Sequence, residues 1–212
     1  MNIILIGDSG HARVIADNIV SCGNNVVAKL DDKYTELFNR GGCWFGPVSE
    51  ANSLIKKEEA KVIIAIGNNA VRKKIVERLS LVPAGYATAI HKDAIVSPSA
   101  VIGSGTVIMP GAVVNAAATI GNHVILNSRS VVEHDCRIAD FVHVSPGAAV
   151  AGVVKIEEGA LIEAGAAVTP VKNIGQWSIV HAGSAVVEDV EEFSSVVGVP
   201  ARKVPSVTEV VK

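Results

Sequence analysis

From Ile90 onward every sixth residue is aliphatic. The series runs Ile90, Val96, Ile102 and on through Val180 to Val186, seventeen consecutive positions without a break in register. Four places after each stands a small or compact side chain, from Ala94 to Val190, with Lys172 as the sole exception. An α-helix repeats every 3.6 residues and a strand every two, so neither yields a period of six. A parallel β-helix of hexapeptides does: each hexapeptide forms one short flat face, the aliphatic residue fills the interior and the small one fits beside it. Hydrophobic residues make up 49% of the chain against 4% aromatics, with 19 glycines, which suits a core of small and β-branched side chains.

Residues 1–85 follow a different rule. "NIILIG" is a short apolar run of the kind buried on both faces of a sheet. "DSGHARVIADNIVSCG" follows with Val14, Ile15, Asn18 and Ile19 at helical spacing and Gly23 as a stop. "NNVVAKLDD" and "KVIIAIGNN" read as two more strands, the latter followed by the amphipathic helix "AVRKKIVERLS". Strands alternating with helices predict a small, mostly parallel, Rossmann-like βαβ sheet. Ligands bind beyond the carboxyl ends of such strands. That singles out three strand ends: Gly7-Asp8-Ser9-Gly10-His11, Asp31-Asp32 and Gly67-Asn68-Asn69. "GDSGHA" is not a full G-x-G-x-x-G, and some 85 residues make half a dinucleotide fold, enough for one nucleotide. Two units are expected, 1–85 and 86–212.

Charge and cysteine content exclude several classes. Nineteen Lys and Arg face 21 Asp and Glu, so there is no basic surface for nucleic acid. Three cysteines, Cys22, Cys43 and Cys136, are widely spaced and form no CxxC pair, which points to reduced thiols and a cytoplasmic setting. No apolar run approaches the ~20 residues of a membrane span.

The densest chemistry lies in "SVVEHDCRIADFVHV", residues 130–144. The register puts Cys136 in the small interior slot, a buried thiol. His134 and His143 fall outside the core slots and are expected to point out of the coil, toward solvent or a neighbouring subunit. His91, His123 and His181 are expected to be plain solvated residues. His134 stands between Glu133 and Asp135. Adjacent side chains diverge on an extended backbone, so only a turn lets Asp135 reach the imidazole and raise its basicity. Without the cysteine, the remaining residues carry no metal-ligand spacing, and no metal is expected.

The hexapeptide array and the ending "VVGVPARKV" resemble the left-handed β-helix acyltransferases. "GDSGHA", "LDD", "IAIGNNAVRKKI", "IHKDAIVSPSAVI", "LNSRSVVEHDCRI", "FVHVSPGAAVAG" and "GVPAR" together resemble, more specifically, the bacterial nucleotide-sugar acetyltransferases such as that of bacillosamine biosynthesis. The resemblance implies an acetyl-CoA-dependent N-acetyltransferase with His134 as general base and Asp135 as the acid that tunes it. Asp135 stands where the family often has Glu, so its reach is shorter. His143 matches a histidine that contacts acetyl-CoA, and Gly152 a glycine whose backbone faces the thioester. Leu161, Ala164, Gly165 and Gly183 are implied to lie along the pantetheine arm, and Arg202 near cofactor phosphate. Ser9, Gly10, His11, Asp31, Asp32, Gly67 and Asn68 are implied to hold a nucleotide-sugar, UDP-4-amino-4,6-dideoxy-N-acetylglucosamine being the expected one. A homotrimer with sites between subunits completes the expectation. Sugar O-acetylation and GDP-perosamine N-acetylation are the alternatives in the same class; a nucleotide-binding regulator on a β-helix scaffold, or a zinc enzyme of the β-helix carbonic anhydrase kind, are those in other classes.

Overall fold

The computed structural model describes residues 1–204. The N-terminal part is a five-stranded sheet built from β1 (Asn2–Ile6), β2 (Asn25–Leu30), β3 (Phe38–Arg40), β4 (Cys43–Gly46) and β5 (Lys61–Ile64), in the order β3-β4-β2-β1-β5. β1 pairs in parallel with β2 and β5, and β2 in parallel with β4; only β3 runs antiparallel. Three helices complete it: α1 (Gly10–Ser21), α2 (Ala51–Glu58) and α3 (Asn69–Leu79). The hairpin β3–β4 and helix α2 are elements the sequence reading left out. In α1 the buried stripe is Ala12, Ile15, Asn18 and Ile19, whereas Val14 is exposed. Ala12, being small, lets the helix backbone approach the sheet closely, and Val14 is turned away to the outer face.

The sheet packs on both sides. Ile4, Ile6, Ala28, Leu30 and Leu54 join one core. Ile3, Leu5, Ile15 and Ile63 join a second that also takes in Ala87, Ala89, Val107 and Met109. That second core therefore bridges the sheet and the first turns of the coil.

From Ala89 the chain winds as a parallel β-helix with two-residue rungs every six residues and pairing every 18. The three faces differ in their outward residues. One carries Val107, Ile125, His143, Leu161 and Ile179 and lies against the N-terminal part; it is called here the covered face. The next carries Ile95, Val113, Val131, Ala149, Ala167 and Ala185, all aliphatic. The third carries Val101, Thr119, Arg137, Lys155 and Asn173, mostly polar. Inside, the sixth-residue series is buried from Ile108 to Val186. "VEDVEEFSSV", residues 187–196, adds a shortened turn. Val190 bridges Ile174 and Val196 pairs with Val180, a step of 16 rather than 18, and both side chains are buried. An antiparallel hairpin, 195–198 with 201–204, closes the described chain.

Two histidines depart from expectation. His123 is 5% exposed, stacked on Phe141 (5.3 Å, 8°) with Tyr86 edge-on at 4.5 Å. Burial, with the charge of Arg72 adding to it, lowers its pKa to about 4. It does point out of the coil, but Tyr86 caps that spot. His143 also points outward and is likewise covered, by the N-terminal part.

Candidate active site

His134 and Asp135 occupy the turn between the aliphatic and polar faces. Asp135 has φ +58°, in the left-handed region that Asp tolerates better than most residues. The backbone is pinned on both sides, Asp135 N–H donating to Ala116 O at 3.0 Å and Val153 N–H to His134 O at 2.9 Å. This is the turn that lets neighbouring side chains converge: His134 Nδ1 lies 2.8 Å from Asp135 Oδ2. The carboxylate can only accept, so Nδ1 donates and Nε2 keeps a free lone pair. The shorter acid reaches after all. Both side chains remain more than half exposed.

One coil further on, Gly152 lies directly beneath that lone pair. A Cβ there would sit 2.7 Å from Nε2 and 2.8 Å from Cε1. Only glycine leaves the space in front of Nε2 open and its backbone bare, and the Gly152 N–H has no acceptor among the described residues. Cys136 is buried, donates to Ala151 O at 3.1 Å, and burial raises its pKa, so it is no nucleophile.

A second constellation sits where the sheet ends meet the covered face. Ser9 caps α1 with no side-chain bond of its own, and both Ser9 and Gly10 are exposed. Bare amides at a helix N-terminus suit a phosphate. His11 follows, half-buried, with its ring 6.2 Å from that of His143 and its Nε2 without a partner among the described residues. Burial first, then the charge of Arg72, lowers the His11 pKa. Asn68 caps α3 by accepting from Val71 N–H at 3.0 Å. Gly67 O lies 3.3 Å from His143 Nδ1. Leu161, the rung after His143, shares a pocket with Gly67, Asn68, Asn69 and Trp177.

The two aspartates are already occupied. Asp31 accepts from the N–H groups of Asp8 (2.9 Å) and Lys33 (3.1 Å). Asp32 accepts from Val48 N–H at 3.1 Å and pairs with Arg78 at 2.5 Å, a bond that lowers its pKa. Both shape the loop after β2. Ala164, Gly165 and Gly183 form a third place, exposed at the edge between the covered and aliphatic faces, with Gly183 N–H donating to Ala164 O at 3.0 Å. Arg202, on the terminal hairpin, pairs with Glu188 at 3.3 Å.

Within one chain, then, His11, Gly67, Asn68, His143 and Leu161 come together, while His134, Asp135 and Gly152 stand at another edge. Two residues absent from the sequence reading belong to the first group. Asn127 Nδ2 lies 3.0 Å from His143 Nε2. Arg72, 1% exposed, reaches carbonyls on both sides of the junction. The preceding Asn-Asn pair and the helical pattern gave Arg72 the look of a solvated helix residue. Among the described residues no three His, Cys, Asp or Glu side chains cluster as metal ligands would.

Residues 2–79 match the family model "PglD N-terminal domain", and 99–134 match "Bacterial transferase hexapeptide (six repeats)". The UDP-N-acetylbacillosamine N-acetyltransferase of Bacillus subtilis is 46% identical over 109 residues, a stretch spanning 49% of this chain and 49% of that protein. Perosamine N-acetyltransferase from Caulobacter crescentus, solved as a histidine variant with CoA and GDP-perosamine, superimposes with TM-score 0.89 at 33% identity, covering 97% of this chain and 98% of that one. The acetyltransferase domain of PglB from Neisseria gonorrhoeae, solved with acetyl coenzyme A, gives TM-score 0.85 at 34% identity over 96% and 98%. A likeness this long, at a third identity, makes the coil a left-handed β-helix, and the chain belongs to the hexapeptide-repeat sugar N-acetyltransferases that carry a PglD-type N-terminal domain.

Proposed function

We propose that the protein transfers the acetyl group of acetyl-CoA to the amine of a nucleotide-linked amino sugar, UDP-4-amino-4,6-dideoxy-N-acetylglucosamine being the substrate we favour. The observation that carries this is the exposed His134–Asp135 pair with its free Nε2 directly over Gly152. The absent Cβ leaves a cradle in which a thioester carbonyl fits, and bound acetyl-CoA supplies the activated acetyl group there.

His134 takes a proton from the attacking amine at Nε2. Asp135 holds the ring in the one tautomer able to do so and offsets the positive charge the ring acquires, a role worth roughly 10²–10⁴ in rate. The unpaired Gly152 N–H serves as donor to the carbonyl oxygen as it gains charge, and one such donor contributes roughly 10²–10³. The amine nitrogen bonds to the carbonyl carbon, the C–S bond breaks and the CoA sulfur departs, taking up a proton to leave as the free thiol; no side-chain nucleophile takes part. Ser9 and Gly10 hold the diphosphate on the α1 N-terminus, with Gly67 and Asn68 beside the sugar. Leu161, Ala164, Gly165 and Gly183 flank the pantetheine, and Arg202 lies toward the phosphates of CoA.

His134 and the nucleotide cleft stand at different edges of one chain, so the site is built from two. The aliphatic face offers a row of apolar side chains, from Ile95 to Ala185, that a lone chain would leave wet. Three copies meeting on that face bring the His134 edge of one against the Gly165 edge of the next. We place the reaction in the cytoplasm; among the described residues no helix is long and apolar enough to cross a membrane.

The test is a panel of UDP- and GDP-linked amino sugars, with matched hydroxyl sugars, incubated with acetyl-CoA while thiol release is followed. Release with an amino sugar and none with its hydroxyl counterpart is expected. Release with hydroxyl acceptors only would replace the reading with O-acetylation.

A further inference from the structure

Among the described residues Arg72 is the largest of the fully buried side chains, and it has no carboxylate partner there. Burying a guanidinium is costly unless every donor is met. Here the donors are met largely by backbone carbonyls drawn from two sources. From the N-terminal part come Ile66 O (3.0 Å), Gly67 O (3.2 Å) and Asn69 Oδ1 (2.9 Å). From the coil come His123 O (2.8 Å) and Phe141 O (2.7 Å). Burial lowers its pKa to about 9, which leaves it charged at neutral pH.

The two grips converge on one side chain. Gly67 O, held by Arg72, also faces His143 Nδ1, while Phe141, held by the other end of the fork, precedes His143 by two residues. A carbonyl only accepts, so Nδ1 carries the proton. At the other side, Asn127 Oδ1 accepts from Ser128 N–H at 2.8 Å, which orients the amide so that its Nδ2 donates to His143 Nε2. Both ring nitrogens are thus committed inside the chain. The titratable groups facing His143 are Arg72 from α3 and His11 from α1; the rungs on either side present Ile125 and Leu161.

We propose that Arg72 is a positioning residue for the acceptor: it locks the Gly67–Asn68 strand end onto the His143 rung, holding His143 as the neutral Nδ1–H tautomer. His11 packs on that ring, so the floor of the nucleotide cleft is set in register with the coil, and with it the path of the amine toward the base. This rests on the proposed acetyl transfer. The low His143 pKa, about 4 from burial first and Arg72 next, is consistent with it.

The experiment has two arms. In the unmodified protein, side-chain ¹⁵N–¹H correlation spectra between pH 5 and 8 should show His143 neutral with its proton on Nδ1 throughout. Arg72→Lys, which keeps charge but loses the fork, and Arg72→Met should abolish that signature. They should lower kcat/KM for the sugar about 100-fold, the scale of an ångström's misplacement, with KM for acetyl-CoA unchanged within about 3-fold. A protonated or Nε2–H His143 in the unmodified protein overturns the proposal, as does a folded Arg72→Lys with full kcat/KM and an unchanged His143 signal. Should either variant fail to fold, the first arm decides. Should the unmodified protein acetylate no amino sugar, the functional reading falls, and the spectra of unmodified protein and Arg72→Lys still judge the lock.

Discussion

Gly152→Ala separates chemistry from stability more cleanly than any change to His134 itself. Gly152 does not adopt a positive φ, so alanine meets no backbone strain there and narrows the unfolded ensemble, a gain of roughly 0.4–1 kcal/mol. Against this stands the new Cβ, 2.7 Å from His134 Nε2. The imidazole is exposed and can swing out, giving up one exposed hydrogen bond to Asp135 that contributes about 1 kcal/mol or less. The two terms nearly cancel, so Tm should move by no more than about 4 °C. Activity has no such compensation. The displaced ring loses its orientation and the methyl group fills the space in front of Nε2, so kcat should fall about 10²–10³-fold, equivalent to roughly 3–4 kcal/mol of barrier. Gly23→Ala is the converse control: φ is +72° and nothing lies within 4 Å of the added Cβ, so it should cost about 1–2 kcal/mol of stability and leave turnover intact. Thermal unfolding and acetyl-CoA thiol-release kinetics on both variants make the comparison. Gly152→Ala with more than a tenth of normal kcat refutes the placement of His134 Nε2 at the reacting carbonyl.

His134→Ala should lower turnover by about 10²–10⁴ while CoA still binds, measured by thiol release and calorimetry. Asp135→Asn can turn its NH₂ toward Nδ1, which moves the imidazole proton to Nε2; kcat should drop by about 100-fold or more, with Tm almost unchanged. His123 and His143 both have folded pKa values near 4 against an ordinary 6.5, so the unfolded chain binds protons that the folded one refuses. Their stabilisation is complete above pH 6.5 and is lost as pH falls toward 4, up to about 3 kcal/mol each; Tm should be flat from pH 7 to 9 and decline below 6.5. Ala167→Glu, on the exposed aliphatic face, should shift the species seen by light scattering to the monomer and abolish activity together with the assembly.

The coil was legible because its in-or-out alternation is strict. The period of six put Cys136 inside and His134 outside, and both hold. The turn that joins His134 to Asp135 was legible only as a requirement, since whether the shorter acid reaches depends on a left-handed φ at Asp135 that no side-chain pattern announces. The hairpin β3–β4 did leave a signal: "FNRGGCWFG" places Gly41 and Gly42, both with positive φ, just before the apolar run Cys43-Trp44-Phe45, and a Gly-Gly pair there has the composition of a tight β-turn.

What no period could show is how the N-terminal part sits on the coil. The register says whether a side chain leaves the coil, and says nothing of what waits outside. His123 and His143 obey the register and point outward, yet His123 is buried and His143 half-buried under the N-terminal part. Besides the Lys73–Glu158 ion pair and the His143–Gly67 contact, the polar contacts that dock the two parts pair a donor side chain with a backbone carbonyl: Asn18 Nδ2 donates to Ile108 O at 3.0 Å, Asn69 Nδ2 to Gly159 O at 3.0 Å, and Arg72 to His123 O and Phe141 O. Each donor side chain finds a backbone carbonyl, and every residue owns one. At these three donors no complementary acid marks the partner, so an asparagine or arginine on a helix looks solvated until the backbone it grips is in view. These three grips tolerate side-chain change at their acceptor residues and none at their donors. Replacing Phe141 by Leu should therefore leave the Arg72 grip intact, whereas trimming Asn69 to Ala should loosen it, an asymmetry that hydrogen exchange at the Gly67 strand end can read.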